Sequence, residues 1–452
     1  MTKNYMKTFL RWAAPAFLAA SFAAPALAAL PIQHWTQPGG AQIYLIESPS
    51  LPIVDVQIDV DAGERRDPAD KAGLASVTAG MTGKGIAARD GQPALDENQL
   101  AEAWADLGAG FGGGASADRM SYTLRSLTYP DLLAKAVALG ARQLGEPSFP
   151  DDVWQRERQR MSAGIREANT RPATVAGRAF QKAVYGSHPY GYDTTEESLT
   201  HISTQDMREL YRLVQPCRAK VSVVGAVNRA QADQIVTTLL SRLPAGTCSP
   251  LPAVPEVPAL TAAAERDIPF AAAQAQVLIG QPGYKRADPD YFPLLVGNYT
   301  LGGGGFVSRL TTEVREKRGL SYSVYSYFNP GLHAGAFTLG LQTRPDQAAQ
   351  ALQVSRDVLK RFVAEGPTEP ELKAAKDFMI GGFALRIDSN SKLLDNLANI
   401  AWHDLPLDYL DTWTRQVEKV TAADIKAAFA RKLQPDRMVT VVVGAPVAPN
   451  RQ

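Results

Sequence analysis

Metal-ligating side chains are scarce in this sequence. Five histidines, His34, His188, His201, His333 and His403, are spread over 452 residues, and no two lie within helical reach of each other. That spacing excludes a zinc helix with imidazoles at i and i+4. The two cysteines, Cys217 and Cys248, are too few for a thiolate cluster and have no His or Cys close by in sequence. No Gly-x-Ser-x-Gly elbow occurs, which removes the sequence mark of one large class of serine hydrolases. Charge of one sign is missing as well. Lys and Arg number 47 against 46 Asp and Glu, a net of +1, and no basic stripe points to nucleic acid or an anionic membrane surface. Beyond the first thirty residues no apolar run is long enough to span a bilayer.

The N-terminus has the pattern of an export signal. Lys3, Lys7 and Arg11 precede an apolar stretch, Trp12 to Ala24, and Ala26-Leu27-Ala28 is a small-x-small cleavage site. A mitochondrial presequence is the competing reading, but such segments are amphipathic and Arg-rich rather than continuously apolar. Residues 1–28 are therefore expected to be a signal peptide and the protein periplasmic, with secretion as the alternative. Export favours a Cys217–Cys248 disulfide, because a helix returning along the strand near Ala219–Gly225 ends where that strand began. A metal pair is the weaker alternative.

Residues 29–243 and 261–452 read as two domains, joined by 244–260 with Pro244, Pro250, Pro252, Pro255 and Pro258. Ile202-Ser-Thr-Gln-Asp206 matches Val420-Thr-Ala-Ala-Asp424, each a helix start with Ser203 or Thr421 as N-cap. Pro216 precedes Gly225 by nine residues across AKVSVVG, and Pro435 precedes Gly444 by nine across MVTVVVG. The pattern predicts a duplicated α+β fold.

The stretch Leu301 to Phe328 reads LGGGGFVSRLTTEVREKRGLSYSVYSYF. Glycines 302–305 permit close backbone approach or positive φ, and no Gly-Lys-Ser/Thr follows them, which excludes a phosphate loop. Ser308 is placed to cap a short helix with Leu310 and Val314 on one face, and Gly319 to end it. The next run alternates like a strand, with Leu320, Tyr322 and Val324 expected on one face. Arg315 and Tyr322 then come off adjacent rigid elements.

This string closely resembles the C-terminal domain of the pitrilysin/insulinase metallopeptidase family, to which the mitochondrial processing peptidase belongs. The resemblance covers essentially the whole mature chain. It implies two homologous domains, each an antiparallel-rich sheet with helices packed on one face. In active members the matching Arg and Tyr face a zinc site in another domain and donate toward the carbonyl under attack.

Catalytic subunits of that family carry His-x-x-Glu-His on a first-domain helix, with a further Glu about 75 residues on. Here Gly73-Leu74-Ala75 and Met81 to Gly85 keep the flanking pattern, but the motif reads Ser76-Val77-Thr78-Ala79-Gly80. Ser76 and Gly80 replace the histidines and Ala79 the base. Glu157 stands near the third-ligand position, and without imidazoles it reads as a solvated helix residue. The resemblance implies a chain with no zinc of its own, inactive alone. It would partner a zinc-bearing homologue and lend Arg315 and Tyr322 to peptide hydrolysis, with Gly302, Gly303, Gly304 and Gly305 admitting the substrate backbone. The alternative is a scaffold or peptide-binding protein of the same fold with no part in proteolysis.

Overall fold

The computed structural model describes residues 31–444. The expected signal peptide lies outside the described residues. The first half builds a six-stranded sheet from β1 (Gln33–Thr36), β2 (Gln42–Glu47), β3 (Ile53–Val60), β6 (Gly110–Ala115), β7 (Met120–Leu127) and β8 (Lys220–Gly225). A two-stranded ribbon, β4 (Gly85–Ile86) with β5 (Leu95–Asp96), stands beside it. The second half builds a five-stranded sheet from β9 (Ala264–Ile268), β10 (Ala275–Tyr284), β11 (Ser323–Phe328), β12 (Gly335–Thr343) and β13 (Val439–Val443).

The strand orders are β1-β2-β8-β3-β7-β6 and β11-β12-β10-β13-β9. Taken from β9, the second order repeats the first from β2, so β9, β13, β10, β12 and β11 stand as β2, β8, β3, β7 and β6. Each sheet has one parallel pair, β2–β8 and β13–β9, and is otherwise antiparallel. The matched sequence signals sit at matched places. Ser203 and Thr421 both close capping boxes, with Asp206 and Asp424. Pro216 and Pro435 each open a 3-10 turn that feeds β8 or β13.

The central strands are buried on both faces: β13 throughout and β8 from Val221 onward. An antiparallel sheet with one wet face would alternate, so something covers the second face. The halves cover each other. The helix Pro172–Tyr185 packs on β10 and β13, and the helix Asn390–Trp402 packs on β8, β3 and β2. Phe180 and Val184 meet Val439, Val441 and Val443. Leu393, Leu394, Leu397 and Ile400 join Tyr44, Ile46 and Val224. Asp55, Gln57 and Asp59, which alternate with apolar residues in β3, are therefore buried too. Asp59 accepts from Arg119 at 3.1 Å, and Arg119 also donates to the Ala398 carbonyl at 3.1 Å, linking the sheet to the lent helix.

The Gly-rich residues 110–115 form the edge strand β6, which pairs with β7, the strand that follows it. Two helices follow one another, Asp151–Ala168 and Pro172–Tyr185, divided there because Pro172 offers no N–H and fits only a first turn. The helix Leu74–Met81 starts after Gly73, which has φ +98°, and the Asp67 carboxylate accepts from the N–H groups of Gly73 and Ala75 at 2.9 and 3.0 Å. The two cysteines are bridged, with Cα atoms 5.8 Å apart. Among the described residues no helix is long and apolar enough to cross a membrane.

Candidate functional site

The glycine-rich turn is shaped by what lies under it. After the helix Tyr291–Asn298 the chain widens into a π turn, Tyr299–Gly303. A Cβ on Gly302 would lie 2.5 Å from the Ser326 backbone nitrogen, and one on Gly304 would lie 2.7 Å from the Tyr299 carbonyl oxygen. Gly305 has φ +59°. The turn thus sits tightly on the edge strand β11, and Asn298 closes the contact by donating to the Ser326 carbonyl at 2.9 Å.

Ser308 then accepts from the Thr311 N–H through its hydroxyl, as a cap should. The helical segment that follows widens over Thr311–Glu316, with Leu310 and Val314 fully buried. It ends at Gly319, φ +61°, where the N–H of Gly319 donates to Arg315 and that of Leu320 to Val314, at 2.8 and 3.0 Å. The Gly319–Arg315 bond is the 5→1 bond of an αL closure, and it holds the Arg315 backbone through its carbonyl.

Tyr322 lies just before β11, and its direction differs from the expected one. Leu320 and Val324 are buried, whereas Tyr322 is 79 % exposed. The regular register starts only at Ser323 opposite Gln342. Ser321 is the anchored residue, its hydroxyl 2.6 Å from the Gln342 carbonyl, and Tyr322 is turned outward beside it.

Arg315 and Tyr322 meet outside. The guanidinium carbon lies 4.7 Å from the Tyr322 ring centroid and 4.6 Å from that of Phe306, which is 67 % exposed. Neighbouring cations are committed. Arg309 makes a two-pronged pair with Glu371 at 2.7 Å, and Lys317 and Arg318 both take Glu313 at 2.7 Å. Hydrogen bonds from Lys317 and Arg318 hold the Glu313 carboxyl below its ordinary value. Arg315 has no carboxylate or carbonyl partner among the described residues, and neither does the Tyr322 hydroxyl. A fork of guanidinium N–H groups and a phenol O–H therefore stand side by side, free to donate to an outside acceptor.

The second place of interest is the helix Leu74–Met81. Ser76 donates to Glu64 at 2.6 Å, Ala79 is fully buried, and a Cβ on Gly80 would meet nothing within 4 Å. Glu157 is not the solvated residue expected. It is 8 % exposed and pairs with Lys84 at 3.0 Å and Arg160 at 2.6 Å. Burial alone would push its carboxyl up, but hydrogen bonds from Arg160 and Lys84 overcome this and bring it down to about 2. Lys84 follows Gly80 by four residues and Ser76 by eight, and it also reaches Glu97 at 3.4 Å. A lysine ammonium and a guanidinium thus occupy the carboxylate that a metal would need. These residues do not fit zinc, and among the described residues no group of three or more His, Cys, Asp or Glu side chains is placed to hold a metal. Lys84 and Phe306 both escaped the sequence reading. The helical spacing of Lys84 from Gly80 was the available signal for the first, and none marked the second.

Two family models cover most of the chain. Residues 42–197 match the insulinase model of peptidase family M16, and residues 201–379 match the peptidase M16 inactive domain. A crystal structure described as the peptidase M16 inactive domain from Pseudomonas fluorescens superposes with a TM-score of 0.85, at 32 % identity, over 93 % of this chain and 99 % of that one. The chain belongs to peptidase family M16. Its M16 relatives include an uncharacterized zinc protease of Mycobacterium leprae, 28 % identical over 423 residues, 90 % of this chain and 91 % of the relative. Another is a non-peptidase homolog of Helicobacter pylori, 27 % identical over 291 residues, 62 % of this chain and 65 % of the relative.

Proposed function

We propose that this M16 chain is the zinc-less subunit of a two-chain periplasmic metallopeptidase and supplies Arg315 and Tyr322 to its partner's active site. The observation that carries this reading is a pair of exposed donors, set side by side and without hydrogen-bond partners among the described residues, in a chain with Ser76, Ala79 and Gly80 where the resemblance expects zinc ligands and base. The non-peptidase homolog from Helicobacter pylori supports a member of this fold that does not cleave by itself. In the complex, a homologous chain with intact His-x-x-Glu-His would contribute the metal that activates water. Arg315 and Tyr322 would donate to the substrate carbonyl oxygen as it gains negative charge, a preorganised stabilisation that needs no rearrangement during the reaction. The turn at Gly302–Gly305 would let the peptide backbone come close.

A scaffold reading has one observation in its favour. Phe306, Val307, Tyr322 and Phe378 are exposed apolar or aromatic residues on or near this surface, as a partner contact would require. The test separates the two. The tagged chain is purified from its own cells and the co-purifying zinc-bearing homologue identified by mass spectrometry. Arg315→Ala and Tyr322→Phe complexes are then compared with wild type for stoichiometry, by size exclusion, and for peptide cleavage. Loss of one such donor costs on the order of 100- to 1,000-fold in turnover. That loss with assembly intact is expected. Wild-type turnover from an intact Tyr322→Phe complex would leave the chain a scaffold.

A further inference from the structure

Arg315 is an arginine without an anionic partner among the described residues, and yet it is not adrift. Its guanidinium lies against two aromatic rings, Phe306 at 4.6 Å and Tyr322 at 4.7 Å. The rings reach it from opposite ends of one segment. Phe306 belongs to the turn Gly305–Val307 that precedes the Arg315 helix, and Tyr322 follows the Gly319 stop. Both rings are largely exposed, so neither is explained by the core. The turn is in turn fixed to β11 through Gly302 and Asn298, so the Phe306 ring is presented by a held backbone.

We propose that Phe306 is a positioning residue for Arg315. It clamps the guanidinium by its face so that the N–H edge stays aimed outward. A cation held against an aromatic face is attracted by the negative face of the ring quadrupole. A contact through the flat side of a guanidinium leaves its in-plane N–H donors unspent. A salt bridge would fix the side chain equally well but would consume those donors, as Glu371 consumes the fork of Arg309. An arginine intended to donate to a transient oxyanion therefore gains from aromatic restraint where a carboxylate would compete. The free alternative is a long side chain that must be ordered at each turnover against its rotamer entropy. The catalytic part of this inference rests on the donor role proposed above; the clamp itself does not.

The experiment therefore has two arms. In the first, the isolated chain is labelled with 15N-arginine, and the Arg315 Nε–Hε resonance is assigned by its loss in Arg315→Ala. Ring currents are expected to displace it, Phe306→Ala and Phe306→Leu to move it toward the value of a free arginine, and Phe306→Tyr to keep it. Phe306 is too exposed for these changes to open a cavity, and the remaining arginine resonances report that the fold is intact. In the second arm, kcat of the purified two-chain complex is expected to fall about 2- to 5-fold in Phe306→Ala and Phe306→Leu, the factor that corresponds to an exposed cation–π contact. KM should change little, and Phe306→Tyr should restore kcat. An Arg315 resonance indifferent to Phe306→Ala overturns the clamp. A resonance that moves while kcat stays at the wild-type level overturns its positioning role. If Arg315→Ala itself leaves turnover unchanged, the donor reading fails instead, and the first arm still decides the clamp.

Discussion

Gly319 shows how far a single residue controls this site. Its φ of +61° ends the Arg315 helix, and its N–H holds the Arg315 carbonyl. An alanine there adds a Cβ in the left-handed region, at a cost of roughly 1–2 kcal/mol. Gly319→Ala is expected to lower the thermal midpoint and to loosen the Arg315–Tyr322 contact, both measurable by calorimetry and by the Arg315 side-chain resonance. An unchanged midpoint would mean that the stop is made by neighbouring contacts instead. Gly319, Arg315 and Tyr322 were all legible in the sequence because motif and turn chemistry are local. The outward turn of Tyr322 was not. It depends on Ser321 finding the Gln342 carbonyl across the sheet, a partner 21 residues away that alternation cannot announce.

At the scale of one element, the helix Leu74–Met81 stands near a carboxylate that is committed to cations. Glu157 is held by Lys84 and Arg160, so its folded-state carboxyl titrates near 2 against an ordinary 4.5. Between those values the unfolded chain binds a proton that the folded one refuses. The stabilisation is thus complete above about pH 4.5 and lost as pH falls toward 2. Glu157→Gln is expected to flatten that part of the stability–pH curve, followed by urea unfolding at a series of pH values. An identical acid limb in the variant would show that Glu157 is not its source. The same pairing bears on metal. Purified chain dialysed against zinc is expected to retain less than one equivalent, and one tightly held zinc per chain by elemental analysis would overturn the assignment of a degenerate site. The family resemblance pointed to Ser76, Ala79 and Gly80, and the burial of Glu157 was legible as well, because it shares a helical face with Trp154, Met161 and Ile165; its pairing with Lys84, 73 residues away, was not.

At the scale of the whole molecule, duplication was readable and the exchange of helices was not. Capping boxes and Pro-to-Gly intervals repeat along the chain, so the matched strand orders follow from signals within each half. Which helix covers a sheet's second face is set by long-range packing, and the apolar stripe of Asn390–Trp402 looks the same whatever it lies on. The exchange has an energetic consequence. Leu393, Leu394, Leu397 and Ile400 are buried in the cluster that covers the second face of the first sheet. At roughly 1.5–3 kcal/mol for each fully buried side chain, the four together are worth on the order of 10 kcal/mol, shared between the first sheet and the second half's own core. That is comparable with the entire stability of an ordinary domain, about 5–15 kcal/mol. The first half should therefore fail to fold alone, although it has a complete set of strands. A chain cut after Pro250 leaves the Cys217–Cys248 bridge, worth about 3–4 kcal/mol for its 31-residue separation, inside the first fragment. Even so, that fragment is expected to aggregate or to unfold without a cooperative transition, because the bridge cannot cover the exposed face of β2, β3 and β8. Co-expression with the second fragment should return a soluble pair with near-UV circular dichroism like that of the intact chain. A monomeric first fragment with its own sharp unfolding transition would show that the lent helix contributes far less than its buried side chains suggest.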